Sequence, residues 1–366
     1  MTQPRFLSRR QALGWVFGSS LGALASSAMP VWAASAAAPA SPASGIWPNG
    51  KPVKVFAPDG LADNMMQMFL ADRIGDELRT NVTTSNLSGQ ASLAALIKAA
   101  PDGLALAFTD TDWLTRVPYL FPASKPYNPD KDFTPVASVF AKPVLLLATP
   151  ALSARDVPDL PALLAHAKQK PGAIRWATTP GAVSVSLESL ILQQIKAKAG
   201  VDIALFSAAR PVPKPNPYMR TSQAFWSLTG YSIKDVREGK FGVLTTDAFL
   251  PVIPHIKSGL LRPLAIAAPA RIREELPYVP TLAELGFPGA NLFSMYGFLA
   301  PADTPPQIVR RLNQVVNTQA NDAEVRHHID AEGLVAMRGS AANFAQAITE
   351  MMGYTRAALQ TVGTNW

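Results

Sequence analysis

What most restricts this chain is a recurrence of short, almost wholly apolar runs separated by longer stretches of helical period. The runs are "VKVFA" (Val53 to Ala57), "LALAF" (Leu104 to Phe108), "VLLLAT" (Val144 to Thr149), "IRWAT" (Ile174 to Thr178), "GVLTT" (Gly242 to Thr246) and "PLAIAA" (Pro263 to Ala268). Each is five or six residues long and lacks polar alternation, which predicts strands covered on both faces. Between them, Met66, Leu70, Ile74 and Leu78 recur at every fourth residue as one buried stripe. Ser92 to Ala100 is apolar and Ala-rich, and Pro101-Asp102-Gly103 halts it. "TLAE", Thr281 to Glu284, reads as a capping box, with Gly286 placed to end a very short helix. Farther on, Thr304 reads as a helix cap with Pro305 at the first helical position, ahead of an apolar stripe of Ile308, Leu312, Val315 and Val316. Strands alternating with helices predict an α/β protein with mostly parallel sheets. At 366 residues the chain has room for two domains with separate cores.

The N-terminus has a different character. "SRRQALGWVFGSSLGALASSAMPVWAASA" sets Arg9 and Arg10 before a moderately apolar stretch and a small-residue pattern, Val31-Trp32-Ala33. Gly14, Gly18, Gly22 and several serines make that stretch too polar for a stable bilayer span. Residues 1–33 are therefore expected to be an export signal, of the twin-arginine type or an ordinary secretory one, which places the mature protein in the periplasm. "ASAAAPASPASG" continues it as a low-complexity tether over 34–46, and folding should begin near Trp47.

The formal charge of +7 includes Arg5, Arg9 and Arg10, and without them it falls to +4. No Lys/Arg cluster of nucleic-acid type accompanies it, and "KAKAG" (Lys196 to Gly200) reads as a solvated helix end. The absence of cysteine excludes disulfides, thiolate zinc sites and cysteine nucleophiles. His166 and His255 have no acid or hydroxyl signature beside them, and adjacent His327 and His328 face different ways on a helix. No nucleophile elbow, phosphate loop or dinucleotide fingerprint occurs. "WATTPGAVSVS" has room for a nucleophile at Ser184 or Ser186, without a visible base. "SAARPVPKPNPYMRTSQAFW", Ser207 to Trp226, alternates prolines and is an extended excursion, either a flap or a partner-facing loop.

Five strand-to-helix loops remain, loaded with small polar groups: "PDGLADN", "TSNLSGQAS", "TDTDW", "TTPGAVS" and "TTDAF". Ligands of open α/β sheets bind where strand ends meet helix starts. The candidate contacts are Asp59, Gly60, Asp63, Asn64, Ser88, Gly89, Gln90, Asp110, Thr111, Thr178, Thr179, Ser184 and Asp247. They suit a ligand held by hydrogen bonds without covalent chemistry, and call for no cofactor or metal.

The stretches "AAPDG" (Ala99 to Gly103), "YNPDKDFTPVA" (Tyr127 to Ala137), "PHIKSGLLRPLA" (Pro254 to Ala265), "LPYVPTLAELGFPG" (Leu276 to Gly289) and "GFLAPADTPPQIVRRLN" (Gly297 to Asn313) follow one another in order. In these the chain resembles the periplasmic solute-binding proteins of tripartite tricarboxylate transporters, the Bug family. The resemblance runs from Trp47 to near Trp366. It implies a two-lobed clamp of the type II-like periplasmic binding protein class. The expected division is 47–147 plus 270–366 in one lobe and 148–269 in the other, with an insertion at 207–226. It also implies a monomeric, non-enzymatic receptor that closes on a small polar solute, usually a carboxylate, and delivers it to membrane transporter subunits. The alternatives are a sensor or interaction protein that no longer binds a transport ligand, and a hydrolase.

The loops depart from the resemblance. The glycine-rich first loop keeps only Gly60 and gains Asp59 and Asp63, and "TDTDW" puts Asp110 and Asp112 where small neutral residues are usual. Two expectations stand side by side. Either Asp63 and Asp110 cap helices and turn away from the cleft, or Asp59, Asp63, Asp110 and Asp112 line its mouth and favour an amine-bearing, zwitterionic or cation-chelated solute.

Overall fold

The computed structural model describes residues 47–58, 60, 64–87, 89–120, 127–178, 187–206 and 233–362. The expected export signal, the tether and the proline-rich insertion lie outside them.

The first sheet grows from β1 (Val53–Ala57), which pairs in parallel with β2 (Val82–Asn86) on one side and β3 (Ala105–Asp110) on the other. A π-helical turn, Met66–Leu70, leads into α1 (Ala71–Leu78), and α2 (Gly89–Leu96) links β2 to β3. Met66, Leu70, Ile74 and Leu78 are all buried. Every-fourth spacing drifts slowly around an α-helix, and the wider π turn takes up that drift and keeps the stripe on one face. Two short helices, α3 (Asp112–Thr115) and α4 (Val117–Leu120), precede the long β4 (Phe133–Lys142).

After Pro143 the chain enters the second sheet at β5 (Val144–Ala148). There follow α5 (Leu160–Gln169), β6 (Arg175–Thr178), α6 (Leu187–Ala199), β7 (Ala204–Phe206), α7 (Ile233–Arg237), β8 (Val243–Thr246), α8 (Phe249–Lys257) and β9 (Arg262–Ala267). The strand order is β7-β6-β8-β5-β9, with β6 parallel to β7 and β8, and β5 antiparallel to β8 and β9. The chain returns through β10 (Ser294–Pro301), antiparallel to both β3 and β4, and ends with α9 (Pro306–Ala320), α10 (Ala323–Ala331), β11 (Val335–Ala336) and α11 (Ala341–Val362). The first sheet reads β11-β4-β10-β3-β1-β2.

The protein is thus a two-lobed α/β fold. The parallel expectation holds in the strand–helix–strand units. The strands that pass between lobes add antiparallel pairings, so each sheet is mixed. All six apolar runs are strands, shifted by two residues or fewer. In β1, Val53, Val55 and Ala57 join one core cluster while Phe56 joins the other, and in β3 Leu106 and Phe108 oppose Ala107 in the same way. Both faces of this sheet are covered, which is why the runs show no polar alternation.

The sheets change four residues earlier than the expected boundary after 147, because Val144–Ala148 pairs with β8 and β9. On the return, the segment after β9 stays with the second sheet. Thr281 bridges Ile266, and the Asn291 amide donates to Ala268 O at 2.9 Å while its oxygen accepts from Ala268 N–H at 3.0 Å. The "TLAE" box forms in full: Glu284 accepts from Thr281 N–H at 2.7 Å, and Thr281 Oγ1 accepts from Glu284 N–H at 3.1 Å. It closes a single turn and no helix, because Gly286 (φ 84°) already ends it. Thr304 does not cap α9. Its hydroxyl donates to Pro301 O at 2.8 Å, and Pro305 is the N-cap residue.

Helix α11 packs on β4 and α3 of the first lobe and on α6 of the second. Its Phe344 lies over Gly297 in β10, where an added Cβ would come within 2.5 Å of both the Phe344 ring and Ala137 O. Phe344 is buried and a backbone carbonyl cannot yield. Gly297→Ala is therefore expected to cost about 1–3 kcal/mol of unfolding free energy in denaturant titration; an unchanged midpoint would refute the packing argument.

Candidate functional site

The carboxyl ends of the parallel strands converge with the crossing strands on one cluster of charge. Asp110 ends β3, Lys142 ends β4, Asp247 follows β8, and Glu188 lies in the first turn of α6 after β6. Asp112 and Arg116 come from α3 and the residue that closes it, and Ser294 and Tyr296 from β10.

Local chemistry explains how each is held. Asp110 Oδ1 accepts from Asp112 N–H at 3.1 Å, so the carboxylate turns the chain into α3. Asp112 Oδ2 accepts from Arg116 Nη2 at 2.7 Å and from Ser294 Oγ at 2.8 Å. Thr111 is fully committed to β10: its N–H donates to Met295 O at 2.7 Å, and its hydroxyl oxygen accepts from Met295 N–H at 3.3 Å. Lys142 Nζ meets Asp247 Oδ2 at 2.5 Å, joining the end of the first lobe's crossing strand to the second lobe. Tyr296 stacks on Phe140 with ring centroids 4.8 Å apart. Arg116 Nε is buried and has no hydrogen-bond partner among the described residues.

The acids divide electrostatically. Burial pushes the Asp110 carboxyl up to about 7, the Asp112 charge adds to this, and Arg116 and Lys142 offset it only in part. Asp247 is also opposed by burial, but contact with Lys142 prevails and lowers its pKa. Lys142 is held protonated against burial by Asp247, Glu188 and Asp110. Burial works against the Arg116 charge as well, and Asp112, Glu188 and Asp110 outweigh it. Burial raises the Tyr296 phenol, and Asp110, Asp112 and Asp247 raise it further. The cluster thus holds four carboxylates, Asp110, Asp112, Glu188 and Asp247, and two cations, Arg116 and Lys142, among the described residues.

The structure brings Asp110, Thr111 and Asp247 of the expected contacts into this cluster. Thr178 is buried at the end of β6, in register with Thr245 of β8. Gly60 is exposed, and its carbonyl accepts from half-buried Asn64 N–H at 2.9 Å. Gly89 is buried at the start of α2, where the Trp113 indole occupies the place of a side chain, and Gln90 beside it is half-buried. Asp59, Asp63, Ser88, Thr179 and Ser184 lie outside the described residues, as does Ser186. Asp110 makes the helix-start bond of the first expectation and stands in the cluster of the second. Sequence reasoning missed Lys142, Arg116, Glu188, Ser294 and Tyr296. The one available signal was Lys142, a lone charge between two apolar strands in "VFAKPVLLL". Among the described residues no three His, Asp or Glu side chains gather to hold a metal. His328 stacks on Phe69 instead.

Residues 69–364 match the family model described as "Tripartite tricarboxylate transporter family receptor". The chain belongs to that family. It is accordingly a solute-binding receptor of a tripartite tricarboxylate transport system. The chain is similar to protein BugT of Bordetella pertussis, 28% identical over 301 residues that cover 80% of this chain and 84% of BugT. Among solved structures it is similar to a TctC solute-binding protein from Polaromonas at a TM-score of 0.67 and 19% identity, covering 86% of this chain and 99% of that one. MatC of Rhodopseudomonas palustris, solved with bound malate, is 26% identical at a TM-score of 0.53, covering 84% and 99%. No helix among the described residues is long and apolar enough to cross a membrane.

The Asp110 shift has a definite sign. Its folded pKa lies above the unfolded value, so the folded state binds the extra proton, and that contribution to stability is lost as pH rises from about 4 to 7. Asp110→Asn removes the titration. The variant is expected to gain stability relative to wild type as pH goes from about 5 to 7, measured by denaturant unfolding at several pH values; a constant difference would refute the assignment.

Proposed function

We propose that this receptor works in the periplasm, that it leaves its solute chemically unchanged, and that its solute is a small carboxylate that also carries a protonated amine. The observation that carries this reading is the acid-rich cluster assembled from both lobes around the Lys142–Asp247 contact. Arg116, whose Nε has no hydrogen-bond partner among the described residues, and Lys142 supply the positive charge that a solute carboxylate needs. Asp110, with Asp112 and Asp247 nearby, offers the complementary negative end. A solute with two carboxylates and no amine would place a second negative charge beside these acids, at a cost on the order of 1–4 kcal/mol for effective dielectrics of 80 to 20. MatC, with malate, is a relative that takes a simple dicarboxylate; here the extra acids shift the preference.

Groups drawn from both lobes give the solute a reason to favour the closed arrangement, and closure is what membrane subunits of the transporter can recognise. The Arg9–Arg10 segment is proposed to direct export by the twin-arginine route.

A thermal-shift screen of the mature chain tests the reading. A ligand at a hundredfold excess over its Kd stabilises by about 2.7 kcal/mol, ample for detection. Amino-acid-like compounds are expected to raise Tm more than malate or adipate, and Asp110→Asn should narrow that gap. Stabilisation by dicarboxylates but by no amine would overturn the reading.

A further inference from the structure

At the edge of the first sheet lies a pocket of about 140 Å³, walled by arginines that are not members of the charge cluster. Arg271 and Arg273 come from the segment that leaves β9 of the second lobe, whereas Arg326 on α10 and Arg338 after β11 belong to the first. Asn321 and Asp330 complete the polar wall, and Leu334 to Met337, which include β11, line it on the side of the sheet.

The charges here do not balance. Arg271 is engaged by Glu284, with Nε at 3.0 and 3.1 Å from the two carboxylate oxygens. Arg326 and Arg338 share one neutral acceptor, Asn321 Oδ1, over long contacts of 3.5 and 3.4 Å. Arg273 makes no hydrogen bond or ion pair among the described residues. Asp330 is the only acid in the lining. Three guanidinium groups converging on a concave surface with one carboxylate and one amide focus a positive potential there. Planar N–H forks match the oxygens of phosphate and carboxylate better than any other side chain. The volume suits a compact ion and falls below the about 300–1,000 Å³ of pockets for larger organic ligands.

We infer that this seam is a second binding site, for a small multiply charged oxyanion of the phosphate type, held by Arg273, Arg326 and Arg338. The inference stands whatever solute the cleft carries. Strand β11 in its lining pairs with β4, Val335 opposite Ala141, one residue from Lys142. An anion here would therefore brace the second lobe's outgoing segment against β4, the strand that leads into that lobe.

Calorimetric titration of the mature chain at low ionic strength, with inorganic phosphate and separately with glycerol 2-phosphate, tests this and separates free from esterified phosphate. Wild type is expected to bind at least one of them, more weakly as salt is added. Arg273→Gln with Arg338→Gln should weaken binding by at least about tenfold. Both side chains are exposed, so a native circular dichroism spectrum is expected. Arg326→Lys, which keeps the charge but loses the fork, should weaken it less. Arg338→Gln alone is the fallback if the double variant misfolds, again with weaker binding expected. Absence of phosphate binding in wild type, or binding unchanged in these variants, would overturn the site.

Discussion

A chain that leaves one sheet at Lys142 and enters another at Val144 has a single residue in which to exchange every backbone partner. That residue is Pro143, which has no N–H to strand between the two ladders. On either side the demand for burial is severe: β4 pairs with β10 and β11, and β5 is buried at all five positions between β8 and β9. The returning strand β10 lies against β4, so the outgoing crossing is reinforced along its length. A charged residue at the end of β4 needs a partner in the facing lobe, and Asp247 supplies it. The charge cluster follows from this geometry, because Asp110 at the end of parallel β3 and Asp247 after β8 both reach the crossing at Lys142.

Within that cluster, similar carboxyl groups behave differently for physical reasons. Asp247 touches an ammonium and stays ionised, whereas at half-buried Asp110 desolvation and the Asp112 charge prevail over Arg116 and Lys142. Environments that separate two like groups in this way set which of them exchanges a proton near neutral pH. The net charge of the cluster thus depends on one side chain that also holds the turn from β3 into α3.

Much of this was legible in the sequence, for identifiable reasons. Buried strands tend to announce themselves as apolar runs, and six of the eleven strands among the described residues were found in this way. β2, "VTTSN", was not, because an edge strand is polar and half-exposed. β4 and β10 carry Pro135 and Gly297 inside their spans, residues that read as breaks until the bulged pairing between them is seen. Asp110 and Asp247 could be placed from their position after a strand. Arg116, Ser294 and Tyr296 could not, because their meaning comes from contacts across the chain: Ser294 meets Asp112 from 182 residues away. The point at which the chain changes sheets was not legible for a related reason. An apolar run shows that it is a strand but not which sheet it joins.

Helix α11 touches β4 and α3 on one side and α6 on the other. A rod of 22 residues seated on both halves ties them together through its own apolar side. Parting either half from it would expose Phe344, Ile348, Met351 and Met352, which are buried along that helix, and exposing apolar surface to water is unfavourable. Any displacement of one half against the other therefore has this one helix to drag along or to slide over.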